Sequence, residues 1–300
     1  MTTSTTPTKQ LLTTNGIRMK ALAWPPPATD ATPALLLHGL TSCAETWSLV
    51  APAIAEDRPV FALDLRGHGE TDKPDGGYDP DTVVADIAGA MDALGLENAC
   101  VAGHSWGCGL GVRLAAGHPG RVRKLALVDG GFGGRRPSSP SRASGAASGN
   151  DGVSPDWLEQ MLAPIEIYRT VDTYLAEVRR SLNGHWSPEI EAIALASIYH
   201  NGDGSVRECL SREHQKLILA GGWGHDTAPL YEKLVCPVLL APADNVTSTP
   251  ERREARRAGI EEAVFRIPAA TVRWVPETVH DIQLHKPDVL APLLREHFGG

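Results

Sequence analysis

Four short apolar runs constrain this chain more than any other feature. They are "ALLLHGL" (34–40), "VFALDLRGHG" (60–69), "ACVAGHS" (99–105) and "KLALVDGG" (124–131), each ending in a polar or glycine-rich turn. Runs without polar alternation are expected of strands buried on both faces, which is the condition inside a parallel sheet. Between them lie amphipathic stretches of helical spacing. One spans Thr82–Leu94, with Val83, Ile87, Ala90, Met91 and Leu94 on one face; another spans Trp106–Ala116. Strand and helix alternating through short loops imply an α/β chain with a doubly wound, mostly parallel sheet. Residues 9–23 carry two apolar segments around Asn15-Gly16, the pattern of an opening hairpin.

The rhythm breaks after Gly131. "GFGGRRPSSPSRASGAASGNDG" (131–152) has the composition of a mobile linker. Residues 154–220 then show helical periodicity without buried-strand runs; Val171, Tyr174, Leu175, Val178 and Leu182 mark one helical face. Strand signals resume at "CPVLLAPAD" (236–244) and "ATVRWVPE" (270–277), and a C-terminal helix follows, which Pro292 is expected to kink or delay. The division expected is a core over 1–131, a linker and helical lid over 132–230, and the rest of the core over 231–300. An insertion placed between two strands suits a lid over the strands' C-terminal edge, where open α/β sheets bind ligands.

Composition excludes several classes. A formal net charge of −8 with dispersed basic residues argues against nucleic acid or an anionic membrane as a partner. The densest basic groups, Arg121–Lys124 and Arg252–Arg257, read as solvated helix ends. No apolar stretch is long enough to span a bilayer, and the polar start "MTTSTTPTKQLL" has no signal-peptide core. Five scattered cysteines without a paired spacing fit reduced thiols and a cytoplasmic location. Eleven histidines occur without a metal-binding spacing, so neither a metal nor another cofactor is expected.

The chemistry points to "GHSWG" (103–107). Ser105 sits between a buried-strand run and a helix, the context in which a serine on a strained turn presents its hydroxyl; Gly103 and Gly107 supply the small neighbours such a turn needs. The helix starting at Trp106 turns its positive end toward a developing oxyanion, and His38-Gly39-Leu40 ends an earlier apolar run. The amides of Leu40 and Trp106 are therefore the candidate oxyanion donors. Ser105 read simply as a helix cap, and 38–40 as an ordinary turn, remain the plainer alternatives.

Together "HGL", "DLRGHGETDKP" (64–74), "GHSWG", "PAD" (242–244) and "VHDIQLHKPD" (279–288) occur in the order found in the α/β-hydrolase superfamily. The chain resembles its lid-bearing branch, and the likeness covers nearly all of residues 10–298 outside the linker and lid. The resemblance implies Ser105 as nucleophile, His280 as base and Asp244 as acid. Asp129 is the alternative acid, because some members take it from the strand after the nucleophile helix. Serine at the nucleophile position argues against epoxide hydrolase and dehalogenase chemistry, which use aspartate there.

Cys108 is expected to pack as a small buried hydrophobe, His68 and His104 to hold loops, and Asp64 and Arg66 to brace a loop by ion pairing. His38, Gly39, Trp157, Tyr168, Trp186 and Tyr199 are candidates to line the pocket, although such lid aromatics more often pack in a core. The function these features imply is cleavage of an ester or lactone of a small, fairly apolar molecule through an acyl-enzyme on Ser105. Hydrolysis of a carbon–carbon bond in a diketone with the same triad is the enzymatic alternative. A ligand receptor on the same fold with negligible turnover is the non-enzymatic one.

Overall fold

A computed structural model describes residues 6–25, 29–132, 167–223, 227–245 and 248–299. The 131–152 linker, beyond its first two residues, and Trp157 lie outside the described residues. The chain opens with strands β1 (Thr8–Thr14) and β2 (Ile17–Trp24), an antiparallel hairpin. Its turn needs left-handed backbone at both central positions, which Asn15 (φ 44°) and Gly16 (φ 76°) supply. There follow β3 (Ala34–Leu37), α1 (Ala51–Ile54), β4 (Val60–Leu63), α2 (Pro80–Ala93), β5 (Ala99–His104), α3 (Trp106–Gly117) and β6 (Val122–Val128). Helix α2 begins where its sequence says it should: the Asp79 carboxylate accepts from the Thr82 N–H at 2.9 Å, with proline at the first helical position.

After β6 the described insertion holds β7 (Ile167–Tyr168), α4 (Val171–Ser181), α5 (Pro188–Ala196), β8 (Ile198–His200), β9 (Val206–Glu208) and α6 (Arg212–Ile218). It is not wholly helical, because β7, β9 and β8 form a small antiparallel sheet of their own. Strands of two or three residues are too short to register as a periodic pattern, so the sequence shows only the helices.

The chain returns to the main sheet with β10 (Val238–Ala241) and then forms β11 (Ala243–Asn245), α7 (Pro250–Arg266), β12 (Ala270–Val272), β13 (Val275–Thr278), α8 (Ile282–His285) and α9 (Pro287–Gly299). Helix α9 starts at Pro287 and runs through Pro292, so that proline does not delay it. The helix buries Leu290, Ala291, Leu294 and Phe298, and this apolar seam offsets the lost backbone donor.

The main sheet has eight strands in the order β1-β2-β4-β3-β5-β6-β10-β12. From β4 to β12 every pairing is parallel, while β1 and β2 extend one edge antiparallel. All residues of β3, β5 and β10 are buried, as unbroken apolar runs require. One apolar layer, built around α2, α3 and the strand faces they cover, includes Met19, Leu37, Ile87, Val101 and Leu127. The opposite layer, including Trp47, Ile54, Leu36, Ala102, Leu290 and Phe298, packs α1 and α9 on the other face. Parallel strands place all their C-terminal ends along one edge, and β3, β5 and β6 lie side by side there. Among the described residues no helix is long and apolar enough to cross a membrane.

Candidate active site

Ser105 stands between the end of β5 and the start of α3, with φ 51° and ψ −111°. This conformation is unfavourable for a residue with a side chain, and it persists only where the surroundings impose it. The imposing contact is tight. A Cβ on Gly103 would stand 2.3 Å from the Gly107 carbonyl oxygen, and one on Gly107 would stand 2.5 Å from the Leu37 oxygen. Strand, turn and helix thus touch through bare backbone, and the serine is pushed outward.

Two side chains complete a line of hydrogen bonds from that hydroxyl. The Ser105 O–H meets His280 Nε2 at 2.9 Å, and His280 Nδ1 donates to Asp129 Oδ2 at 2.6 Å. His280 follows β13, and Asp129 directly follows β6, the sheet neighbour of the serine's own strand. The expectation that Asp244 faces the imidazole is therefore corrected. Asp244 lies on β11, exposed, in a recess it lines with Ser248, Arg253, Arg256, Arg257 and Trp274. Its strand follows Pro242 and leaves the main sheet to pair with β13. Asp129, by contrast, has a fully buried side chain.

A buried carboxylate needs partners. Beyond the histidine, Asp129 accepts from the Ala243 N–H at 2.8 Å and from the guanidinium of Arg256, both on Oδ1. Burial opposes its charge, but the histidine, the arginine and the amide together hold its pKa below the usual carboxylate range. Burial likewise opposes the charged form of His280, yet the hydrogen bond and charge of Asp129, with Asp281 adding, raise its pKa above the ordinary imidazole value. Arg256 works in the opposite direction on that ring. The sequence reading of Arg252–Arg257 as solvated helix ends misses Arg256. No local signal could have found it, since its partner lies 127 residues away.

His280 is also held from behind. His104 Nε2 donates to the His280 carbonyl oxygen at 3.0 Å, and the Gln283 amide faces His104 Nδ1 at 3.3 Å, which fixes the ring's tautomer. Burial lowers the His104 pKa to about 4, so this ring stays neutral beside the base. His38 is also a brace. Its Nδ1–H donates to the Gly39 oxygen at 2.7 Å, and its Nε2 accepts from the Leu65 N–H at 3.0 Å. Because the peptide is trans and planar, tying the Gly39 carbonyl to His38 directs the Leu40 N–H the opposite way. Gly39 itself lies against Ser105; a Cβ there would be 3.3 Å from the serine Cβ. His68 contacts the Leu40 carbonyl through Nε2 and stacks on Trp106 at 5.3 Å, so one ring supports both residues expected to offer amides. The Trp106 N–H, first in α3, has no partner within its own helix.

Of the other pocket candidates, Tyr168 packs edge-on against Tyr174 inside the insertion, and Trp186 donates from Nε1 to Glu191 under the Arg179 guanidinium. Tyr199 donates to the Gly69 oxygen at 2.6 Å and so ties the insertion to the 66–71 loop. Each of the three thus has a partner within the fold. Cys108 is fully buried and points its thiol at the Gly103 oxygen, with its pKa pushed well up by burial. Asp64 pairs with Lys20, and Arg66 makes a two-pronged bond to Asp86 at 2.7 and 2.8 Å. Cys43, Glu45 and Asp64 approach one another as metal ligands would, but the Lys20 ammonium pairs with both carboxylates and supplies the positive charge there.

Comparison with known proteins agrees with this architecture. The chain is 40% identical over 101 residues to a 2-hydroxymuconate semialdehyde hydrolase of Pseudomonas sp. (strain CF600), a match covering 32% of this chain and 35% of that one. It is 28% identical over 215 residues, 70% of each chain, to a 2-(acetamidomethylene)succinate hydrolase of Mesorhizobium japonicum. For two curated relatives the chain spans less than half of their length, 44% and 35%. The crystal structure of E-2-(acetamidomethylene)succinate hydrolase superposes with a TM-score of 0.76 at 20% identity, covering 98% of this chain and 100% of that one. Residues 32–222 match the family model described as the α/β hydrolase fold. With the strand order, the serine turn and the match over most of its length in agreement, this chain belongs to the α/β-hydrolase family.

Proposed function

We propose that the chain is a serine hydrolase that cleaves an ester or lactone of a small, fairly apolar molecule. The observation that carries the reading is the continuous line Asp129–His280–Ser105, at 2.6 and 2.9 Å. In this mechanism Ser105 Oγ attacks the acyl carbon while its proton passes to His280 Nε2. Asp129 keeps the other ring nitrogen protonated and stabilises the imidazolium that forms. The carbonyl oxygen becomes an anion between the Leu40 and Trp106 amides. Collapse expels the alcohol, which takes the proton back from His280, and leaves Ser105 acylated. Water then repeats the sequence, with His280 again as base, and releases the acid. For a lactone the alcohol and acid leave as one molecule. The described part of the insertion between β6 and β10, from 167 on, acts as the lid over this edge. The five cysteines are free and buried, which supports a cytoplasmic setting.

A second reading keeps the triad and changes the bond, from an ester to the amide of an acetamido compound. The relative from Mesorhizobium japonicum, matched over 70% of both chains, favours it. Turnover of p-nitrophenyl butyrate and of an N-acetyl enamide separates the two. A fluorophosphonate probe should label wild type at Ser105, and Ser105→Ala should lose both label and turnover. Labelling that persists in the Ala variant sinks the assignment, and tight binding with negligible turnover makes the chain a receptor.

A further inference from the structure

We propose that Arg256 is a positioning residue of the triad, which clamps one oxygen of Asp129 from α7 and so aims the other at His280. The inference rests on the reading of Ser105, His280 and Asp129 given above, and goes beyond it to a residue remote in sequence.

The geometry is specific. Asp129 Oδ1 receives the Arg256 guanidinium and the Ala243 amide, and among the described residues Oδ2 receives the imidazole alone. Each carboxylate oxygen thus has its own set of donors, and rotation about the Cβ–Cγ bond would break both. An amide alone could hold the plane, but it could not match the charge. The Asp129 side chain is fully buried, and the proposed mechanism needs the imidazole to start neutral. Without Arg256 the site would hold one uncompensated buried negative charge, which favours a proton on the neighbouring ring. A ring that is already protonated has no lone pair for the serine proton. The arginine therefore serves geometry and charge together: it holds the acid still and limits how strongly the acid retains the proton on the base.

Other groups facing this pair act differently. Asp281, next in the chain to the base, favours the imidazolium, and His104 packs its neutral ring 4.8 Å from that of His280. Ser105 and the buried Cys108 thiol are further polar neighbours, and Asp244 lines one recess with Arg256. Among these described neighbours Arg256 carries the positive charge. Its side chain is 27% exposed, so it can be changed without opening the core.

The test compares wild type, Arg256→Gln and Arg256→Lys by two readouts: the pH profile of kcat/KM and the NMR titration of the His280 ring. In Arg256→Gln the ring titration and the kinetic inflection should move up together, by about half a unit to one unit. The rate at pH 7 should fall about tenfold, part of which returns at higher pH. Arg256→Lys should leave the titration near wild type while kcat falls severalfold, since an ammonium keeps the charge and gives up the fork. An unmoved titration in a Gln variant with native circular dichroism overturns the proposal. A Lys variant with full kcat does so as well, and this arm decides if the Gln variant does not fold. Should Ser105→Ala retain turnover, the hydrolase reading fails, while the NMR titration still decides what Arg256 does to the ring.

Discussion

Exchanging the carboxylate for an amide at two positions, one at a time, separates the two aspartates that the sequence offers as the acid. In Asp129→Asn the side-chain oxygen has to stay where Ala243 N–H and Arg256 donate, because an NH2 group there would face two donors. The amide NH2 therefore takes the place of Oδ2 and points its hydrogens at His280 Nδ1, 2.6 Å away. The ring answers by moving its proton to Nε2, where it faces the serine and can no longer accept. Turnover should fall by about 10⁴-fold, the loss expected when the base is held in the wrong tautomer. At about 1.4 kcal/mol per tenfold this is roughly 5.5 kcal/mol of transition-state stabilisation. The fold should survive, less stable by about 1–2 kcal/mol, because Arg256 loses its partner but keeps access to water. Asp244→Asn, on an exposed side chain, should change turnover by no more than about twofold. The assay is kcat on p-nitrophenyl butyrate, measured on variants with matched circular dichroism. An Asp129→Asn variant that keeps a tenth of wild-type activity, or a larger loss in Asp244→Asn, refutes the reasoning.

Activity should be lost as pH falls, because the imidazolium form of His280 cannot take the serine proton; since the ring's pKa is raised, the inflection in kcat/KM should lie above 6.5. A profile flat from pH 5 to 9 on a substrate with slow chemistry would rule out the base. Lys20→Met should lower thermal stability sharply, by about 3–5 kcal/mol, since it leaves buried Asp64 and partly buried Glu45 without their cation; an unchanged melting temperature contradicts this. All five cysteines are buried and free, so a disulfide reagent should titrate less than one thiol per native chain and all five after denaturation.

Much of this site is legible in the amino-acid sequence, and the reason lies in its local geometry. The turn at Ser105 depends on neighbours two residues away, and the amide of Leu40 on a brace close by in the chain, so short motifs carry them. The acid is different. Asp129 and Asp244 both end apolar runs, and only the path of the chain after Pro242, where β11 leaves the main sheet for β13, decides which one meets the ring. Arg256 illustrates the same limit on a charge: inside a run of arginines on a polar helix it looks like its neighbours, and only its bond to the residue that follows β6 sets it apart. The small sheet in the insertion escapes detection because its strands are too short to show a period. Tyr168, Trp186 and Tyr199 are visible as aromatics, but sequence carries no record of which way they face.

The apolar seam beneath the insertion has a mechanical consequence. Leu182, Ile190 and Ile193, from the end of α4 and from α5, share one cluster with Val279 and Leu284, and those last two flank the loop that presents His280. Each such side chain returned to water costs about 1.5–3 kcal/mol, so peeling the two apart at this seam is a rare event. Heat or denaturant that loosens α4 and α5 should therefore blunt catalysis before the central sheet melts, and inactivation should run ahead of global unfolding. Helices α4 and α5 and the loop carrying His280 should then open as one unit, the stability of the first setting the lifetime of the second.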